Sequence, residues 1–412
     1  MLKIPKKKKE IYFDHAATTY IDKKVLKIME PYFMQEYGNP SSLYNKGRVT
    51  KKAIADSKKT IADLLHALPE NIVFTSGGTE SDNLAIFGIA RFHEDKGKHI
   101  ITTTIEHHAV SEPLAQLKKE GFEITYLSVD ENGLVNPKEL VKAIRKDTIL
   151  ISIMHANNEI GTIQPIEEIG REILKFRKKN KTNFPYFHTD ACQSAGYIEL
   201  DVEKMHVDLL TLNGGKIYGP KGIGILYLRR GVKIKPIMFG GDQMKKLRPG
   251  TENVPAIVGL AHAFELVQKN KEKEKTRLTR LSKYLWKEME KNIPKIQLNG
   301  PELGSKERLP NNVNIVFSDI EGEALILYLD EFGIMCSTGS ACTSSSLEPS
   351  HVLLAIGLPY EYAHGSLRFS LGHCNSKSDV DYMIKHLPKI VEQLREMSPV
   401  NLGVKKHAKY KK

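Results

Sequence analysis

From about Asn71 to Arg230 the chain alternates short β-branched runs with longer segments whose apolar residues recur at helical spacing. That alternation constrains the fold more than any other feature, because strand, helix and returning strand in succession build a mostly parallel sheet covered by helices. Strands are expected at Ile72 to Thr75, His99 to Thr103, Ile124 to Ser128, Ile149 to His155, Tyr186 to Asp190, Leu209 to Leu212 and Gly224 to Leu228. Between them, Ser81 to Ala90, Val110 to Lys119, Pro137 to Arg145 and Ile166 to Lys178 read as helices.

With 412 residues the chain exceeds the size at which one hydrophobic core stops growing, so two domains are expected. A lysine- and glutamate-rich stretch from about Ala256 to Asn292 reads as one or two helices and marks the boundary. A smaller α+β unit follows, with strands at Asn312 to Phe317 and Leu367 to Leu371 and helices at Gly322 to Leu329 and Asp379 to Met397.

No apolar run reaches the ~20 residues that span a bilayer, so no membrane segment is expected. Most of the net charge of +12 sits in terminal lysine runs, Lys6 to Lys9 and the lysines after Val404, which read as solvated ends. Direct nucleic-acid binding is therefore not expected. The basic N-terminal stretch has no apolar segment behind it, which argues against export and for a cytoplasmic location. In that compartment Cys192, Cys336, Cys342 and Cys374 are expected to be thiols. No Cys-x-x-Cys pair suggests zinc.

Three motifs carry chemistry. Thr75-Ser-Gly-Gly-Thr-Glu80 lies between a strand and a helix start, where glycines and free N–H groups suit a phosphate. Read alone it serves equally as a tight turn capped by Thr79. Asp190, at the carboxyl end of an apolar strand, suits the protonated nitrogen of a pyridine ring or, equally, a turn. Lys216 sits in the glycine-rich Asn213-Gly-Gly-Lys-Ile-Tyr-Gly-Pro-Lys-Gly-Ile-Gly224 loop, where a rigid backbone could hold a carbonyl-binding amine or an ordinary surface lysine.

Taken in order along the chain, these segments resemble the fold-type I pyridoxal phosphate enzymes, and among them the cysteine desulfurases of the NifS/IscS kind. The resemblance runs from Tyr12 to about Glu396 and rests on YFDHAATT, YGNPSS, TSGGTESDN, EHHAV, NNEIGTIQPI, HTDACQSAG, KIYGPKGIG, RPGTENVPAIVG and STGSACTSSSLEPSHVL. It implies an α/β fold with a large domain over 15–257, a small domain of 1–14 with 258–400, and a basic tail at 401–412. It also implies pyridoxal 5'-phosphate as cofactor, with Lys216 its covalent anchor, Asp190 the partner of the ring nitrogen, Gln193 a donor to the ring hydroxyl and His107 stacked on the ring. Gly78, Thr79 and Asn213 would bind the phosphate, and Thr251 would reach the phosphate of a neighbouring subunit, which implies a homodimer.

Asn158 and Arg368 would hold the substrate, L-cysteine; Arg368 is expected to alternate outward from its strand and grip the carboxylate bidentately. Cys342 would take up the sulfur from a mobile, exposed loop of small polar residues and pass it to an iron–sulfur scaffold or a tRNA thiolation protein. Cys192, Cys336 and Cys374 read as structural. The chain departs from the usual pattern at Asn213 and Gly215, where the family more often has Ser and His, and at Tyr44, where it often has His.

Overall fold

In a computed structural model, residues 8–339 and 348–398 are described. The strands are β1 (Ile11–Tyr12), β2 (Ile72–Thr75), β3 (His99–Thr103), β4 (Glu123–Leu127), β5 (Thr148–Ser152), β6 (Tyr186–Asp190), β7 (Leu209–Asn213), β8 (Gly224–Leu228), β9 (Ile296–Asn299), β10 (Asn312–Phe317), β11 (Ile334–Met335) and β12 (Ser366–Ser370). A seven-stranded sheet runs in the order β2-β8-β7-β6-β5-β3-β4, and β8 alone is antiparallel to its neighbours. Strands β2, β3, β5 and β6 are buried along their whole length apart from Tyr186, as a sheet covered on both faces requires.

The alternating segments fold as their spacing predicts, with shifted ends. The strand expected over Ile149 to His155 stops at Ser152, although Ile153 and His155 still donate to the His188 and Asp190 carbonyls. The helix expected from Ser81 begins at Gly78, which draws Gly78 and Thr79 out of the turn and into the first helical turn. The helix Asn45–Leu65 lies outside the segments that the spacing marks. Its buried face mixes Thr50 and Ser57 with Ala53, Ile54 and Ile61, which dilutes the apolar period, and both hydroxyls are satisfied by backbone carbonyls one turn back.

The lysine-rich stretch forms one helix, Val254–Asn292, about 58 Å long at 1.5 Å per residue. It serves two cores. Its first half, from Val254 to Val267, joins the large core beside the helices Lys23–Met29 and Asn45–Leu65, and Leu278, Leu281, Leu285 and Met289 enter a second core. That second core is built on the antiparallel sheet β12-β10-β9 and the helix Lys377–Met397. Ile11 and Phe13 belong to it as well, because β1 pairs in parallel with β11 and Phe13 exchanges backbone bonds with Met335 and Ser370. No described helix is long and apolar enough to cross a membrane.

Candidate active site

The carboxyl ends of β2, β3, β5, β6 and β7 converge on one cavity of ≈ 220 Å³. Strand β2 delivers Thr75, whose Oγ1 shares a hydrogen with Ser81 Oγ at 2.7 Å, and the chain then enters the helix Gly78–Phe92. That helix presents its unpaired first-turn N–H groups to the cavity. Gly78 permits a close approach there, since a Cβ would lie 2.9 Å from Cys192 Sγ and 3.2 Å from Asn213 Nδ2 and one of them would have to shift. Glu80 braces the turn, accepting from the Ser76 N–H at 2.6 Å and from Arg248 Nε at 3.0 Å. Burial pushes the Glu80 carboxyl up, but these bonds outweigh it and hold it below its ordinary value.

Strand β6 ends on Asp190, which is nearly buried and accepts the Cys192 N–H at 2.8 Å. Behind it lies Asp82, fully buried, its Oδ1 3.5 Å from His188 Nε2. Burial and the neighbouring Asp190 charge push the Asp82 carboxyl well up. His188 bridges Ser152 Oγ and Thr211 Oγ1, and burial pushes its imidazole down to about 4. A third buried acid, Glu106, accepts from Thr103 Oγ1 at 2.7 Å and the Met154 N–H at 3.0 Å, and burial raises it to about 8.

His107 caps the helix His108–Lys119, its Nδ1 accepting the Ala109 N–H at 3.0 Å, so the neutral ring carries its proton on Nε2. Burial lowers its pKa, against the Asp190 charge. Lys216 follows β7 in a short 3-10 turn and donates from Nζ to the Ala17 carbonyl. Gln193 Nε2 donates to the Ala16 carbonyl at 3.0 Å. The N-terminal segment thus closes the cavity over the lysine.

Arg368 is a correction. It does not alternate outward: all five residues of β12 are buried and Arg368 is 2 % exposed. Strand β12 is an edge of its sheet, yet its free side is covered by Phe13 to His15 and by Ser337, which exchanges backbone bonds with Arg368 itself. The guanidinium instead faces the cavity, with Nη1 on the Asn158 carbonyl at 3.0 Å and Nη2 on Asp14 at 2.8 Å. Next to Asn158, the buried Glu159 accepts from Ser350 Oγ and lies against Gly339, so it touches both described flanks of the segment 340–347.

Of the residues singled out by sequence, Gly78, Thr79, His107, Asn158, Asp190, Gln193, Asn213, Lys216 and Arg368 all line this cavity. Thr251 does not; it is exposed on the surface. Cys342 lies outside the described residues. Cys336 is buried, Cys374 is exposed with Sγ 3.5 Å from His15 Nε2, and Cys192 is buried but lines the cavity against Gly78. Sequence reasoning passed over Asp82, Asp14 and Glu106. Their signal was membership of the quoted motifs, Asp82 in TSGGTESDN, Glu106 in EHHAV and Asp14 in YFDHAATT.

Residues 11–383 match the aminotransferase class-V family. The chain belongs to that family. It is 52% identical over 392 residues to the cysteine desulfurase IscS of Dictyoglomus turgidum, covering 95% of this chain and 97% of that protein. With the cysteine desulfurase IscS of Methanosarcina thermophila it shares 55% over 392 residues, 95% of this chain and 94% of the relative. A solved NifS-like protein superposes with a TM-score of 0.87 at 37% identity, covering 94% of this chain and all of that one.

The cofactor of this class-V family is pyridoxal 5'-phosphate, and the cavity fits it. Arg368 Nε is a buried donor without a partner among the described residues, Asn213 turns its Nδ2 donor towards Gly78, and the helix start at Gly78 and Thr79 lines the cavity, as an anion requires. An acid, an amine and an imidazole surround the same space. Gly215 supplies no imidazole, but a Cβ there would meet only Lys221 Cγ at 3.6 Å and Thr18 Oγ1 at 3.9 Å, so the position is roomy and nothing in the packing demands glycine.

Proposed function

We propose that this class-V protein is a cysteine desulfurase that releases L-alanine and keeps the sulfur as a persulfide on Cys342. The observation that carries the reading is the convergence of Lys216, Asp190, His107 and Arg368 on one cavity, in a chain whose relatives bear the name cysteine desulfurase. Bound pyridoxal phosphate supplies the electron sink that makes the substrate α-proton removable.

The residues divide the remaining work. Gly78, Thr79 and Asn213 bind the phosphate, Lys216 is the covalent anchor, Asp190 keeps the ring nitrogen protonated, Gln193 donates to the ring hydroxyl and His107 stacks on the ring. Arg368 and Asn158 orient the substrate, the guanidinium taking its carboxylate. Lys216 and His107 carry protons at the α- and β-carbons. The Cys342 thiolate attacks the substrate sulfur, so an S–S bond forms as the Cβ–S bond breaks. The bonding pair stays on Cβ, which takes a proton to give the alanine methyl group.

The homodimer belongs to the same reading. Thr251 is exposed and does not line its own cavity, and Met34, Tyr37, Leu43 and Phe239 expose large apolar side chains, at 77%, 68%, 89% and 86%. In a dimer they are covered and Thr251 reaches the partner's phosphate. We assign the protein to the cytoplasm. There the persulfide sulfur passes to an iron–sulfur scaffold or a tRNA thiolation protein.

A sulfide and alanine assay with L-cysteine on the purified protein, with its absorption spectrum, tests the reading. Cys342→Ser is expected to keep the cofactor spectrum and lose turnover, and full alanine release by that variant would overturn the sulfur assignment. Lys216→Ala is expected to lose the visible band of the bound cofactor. Sedimentation of the wild-type protein is expected to give twice the 46.4 kDa chain mass.

A further inference from the structure

Arg368 does not hold its own position. A guanidinium has five N–H donors on a planar fork, and it presents a carboxylate-matching edge only when other bonds fix the plane. Two such bonds exist. One goes from Nη1 to the Asn158 carbonyl and the other from Nη2 to Asp14 Oδ1, while Nε is buried and has no acceptor among the described residues.

Asp14 is itself anchored. Its backbone bridges to Ser370, two residues along from Arg368, with the His15 N–H on the Ser370 carbonyl at 3.1 Å and the Ser370 N–H on the Phe13 carbonyl at 2.7 Å. Its side chain is 17% exposed and does not line the cavity, so it touches the guanidinium but not the space where substrate would lie. A lone cation at 2 % exposure is costly, and pairing it removes much of that cost.

We propose that Asp14 is a positioning residue that turns the Arg368 fork so that its unpaired Nε edge meets the α-carboxylate of the amino-acid substrate. This rests on the reading of Arg368 as the carboxylate grip. Asp14 acts through geometry: it supplies the acceptor that locks the guanidinium plane. Loss of that acceptor frees the fork to rotate and weakens only those ligands that carry a carboxylate.

The test compares two amines on the cofactor-loaded enzyme, followed by the change in cofactor absorption: L-alanine, and ethylamine, which lacks the carboxylate. Asp14→Ala is expected to weaken L-alanine at least about tenfold, the scale of one hydrogen bond to a charged group. The KM for L-cysteine should rise in parallel while kcat and the ethylamine affinity stay within about twofold, since neither depends on that bond. Asp14→Asn, which keeps an acceptor oxygen, is expected to restore most of the L-alanine affinity. An unchanged ratio of L-alanine to ethylamine affinity in Asp14→Ala would overturn the proposal, as would equal weakening of both amines. Asp14→Ser carries the same comparison should the alanine variant fail to fold. Arg368→Gln separates the two levels: if it leaves the ratio unchanged, the carboxylate grip itself is wrong, whereas loss of discrimination in Arg368→Gln with none in Asp14→Ala refutes Asp14 alone.

Discussion

Arg248 Nε donates to Glu80 Oε1 at 3.0 Å, and through that bond the segment bearing Thr251 is fastened to the turn that brings Gly78 and Thr79 to the cavity. The pair is partly buried, at 26% and 12% side-chain exposure, so it is less screened than a surface ion pair. Arg248→Ala is expected to weaken cofactor binding by about five- to tenfold, corresponding to about 1 kcal/mol. Equilibrium dialysis against pyridoxal phosphate measures this. The Glu80 carboxyl is held below its ordinary value, so its stabilising contribution is present above pH 4.5 and is lost as pH falls through the lower folded value.

Glu106 predicts the opposite pH dependence. Its folded carboxyl is raised to about 8 from 4.5, so the folded chain keeps a proton that the unfolded chain releases. Stability from this group is present below pH 4.5 and is lost as pH rises towards 8, on the order of a few kcal/mol in all. In Glu106→Gln the amide oxygen can still accept from Thr103 and Met154, and the loss disappears. The variant should therefore melt above the wild type at pH 8 and match it near pH 4.5, as thermal unfolding of the cofactor-free protein would reveal.

The two glycines before Lys216 should respond differently to alanine. At Gly214 a Cβ would lie 2.5 Å from the Pro220 carbonyl oxygen, a backbone atom that cannot yield cheaply. At Gly215 the same atom makes ordinary contacts. Gly215→Ala is expected to gain about 0.4–1 kcal/mol by restricting the unfolded chain. Gly214→Ala is expected to lose about 1–3 kcal/mol. Urea titration of each variant gives both values.

Ser350 is the donor that satisfies a buried carboxylate oxygen of Glu159. Ser350→Ala is expected to cost about 1–3 kcal/mol, the penalty for stranding such an acceptor. Denaturant unfolding reads this directly, and Ser350→Thr should recover most of it.

The cavity-lining residues were legible because most of them follow the end of a strand of the large sheet. Strand runs such as Tyr186–Asp190 and Leu209–Asn213 are short, largely buried stretches that end on a polar residue at the carboxyl edge. Asp82 was not legible. It lies within a helix where an acidic residue reads as a solvated position, and only the fold turns that face against His188. Asp14 and Arg368 are 354 residues apart, and no local pattern encodes that pairing. The outward reading of Arg368 failed for the same reason, since the cover over β12 comes from the other end of the chain. The helix Val254–Asn292 was visible as helix but not as one piece, because its unity comes from two cores at opposite ends.

The bridge from Asp14 to β12 also orders events during synthesis. Asp14 and all seven strands of the large sheet precede Arg368, so a growing chain can complete that sheet while lacking the guanidinium. A chain synthesised only that far has every other described wall of the cavity but not the guanidinium that faces it. The contact between Asp14 and Arg368 can therefore form only after synthesis has passed β12, which makes it one of the later joints of the fold to close.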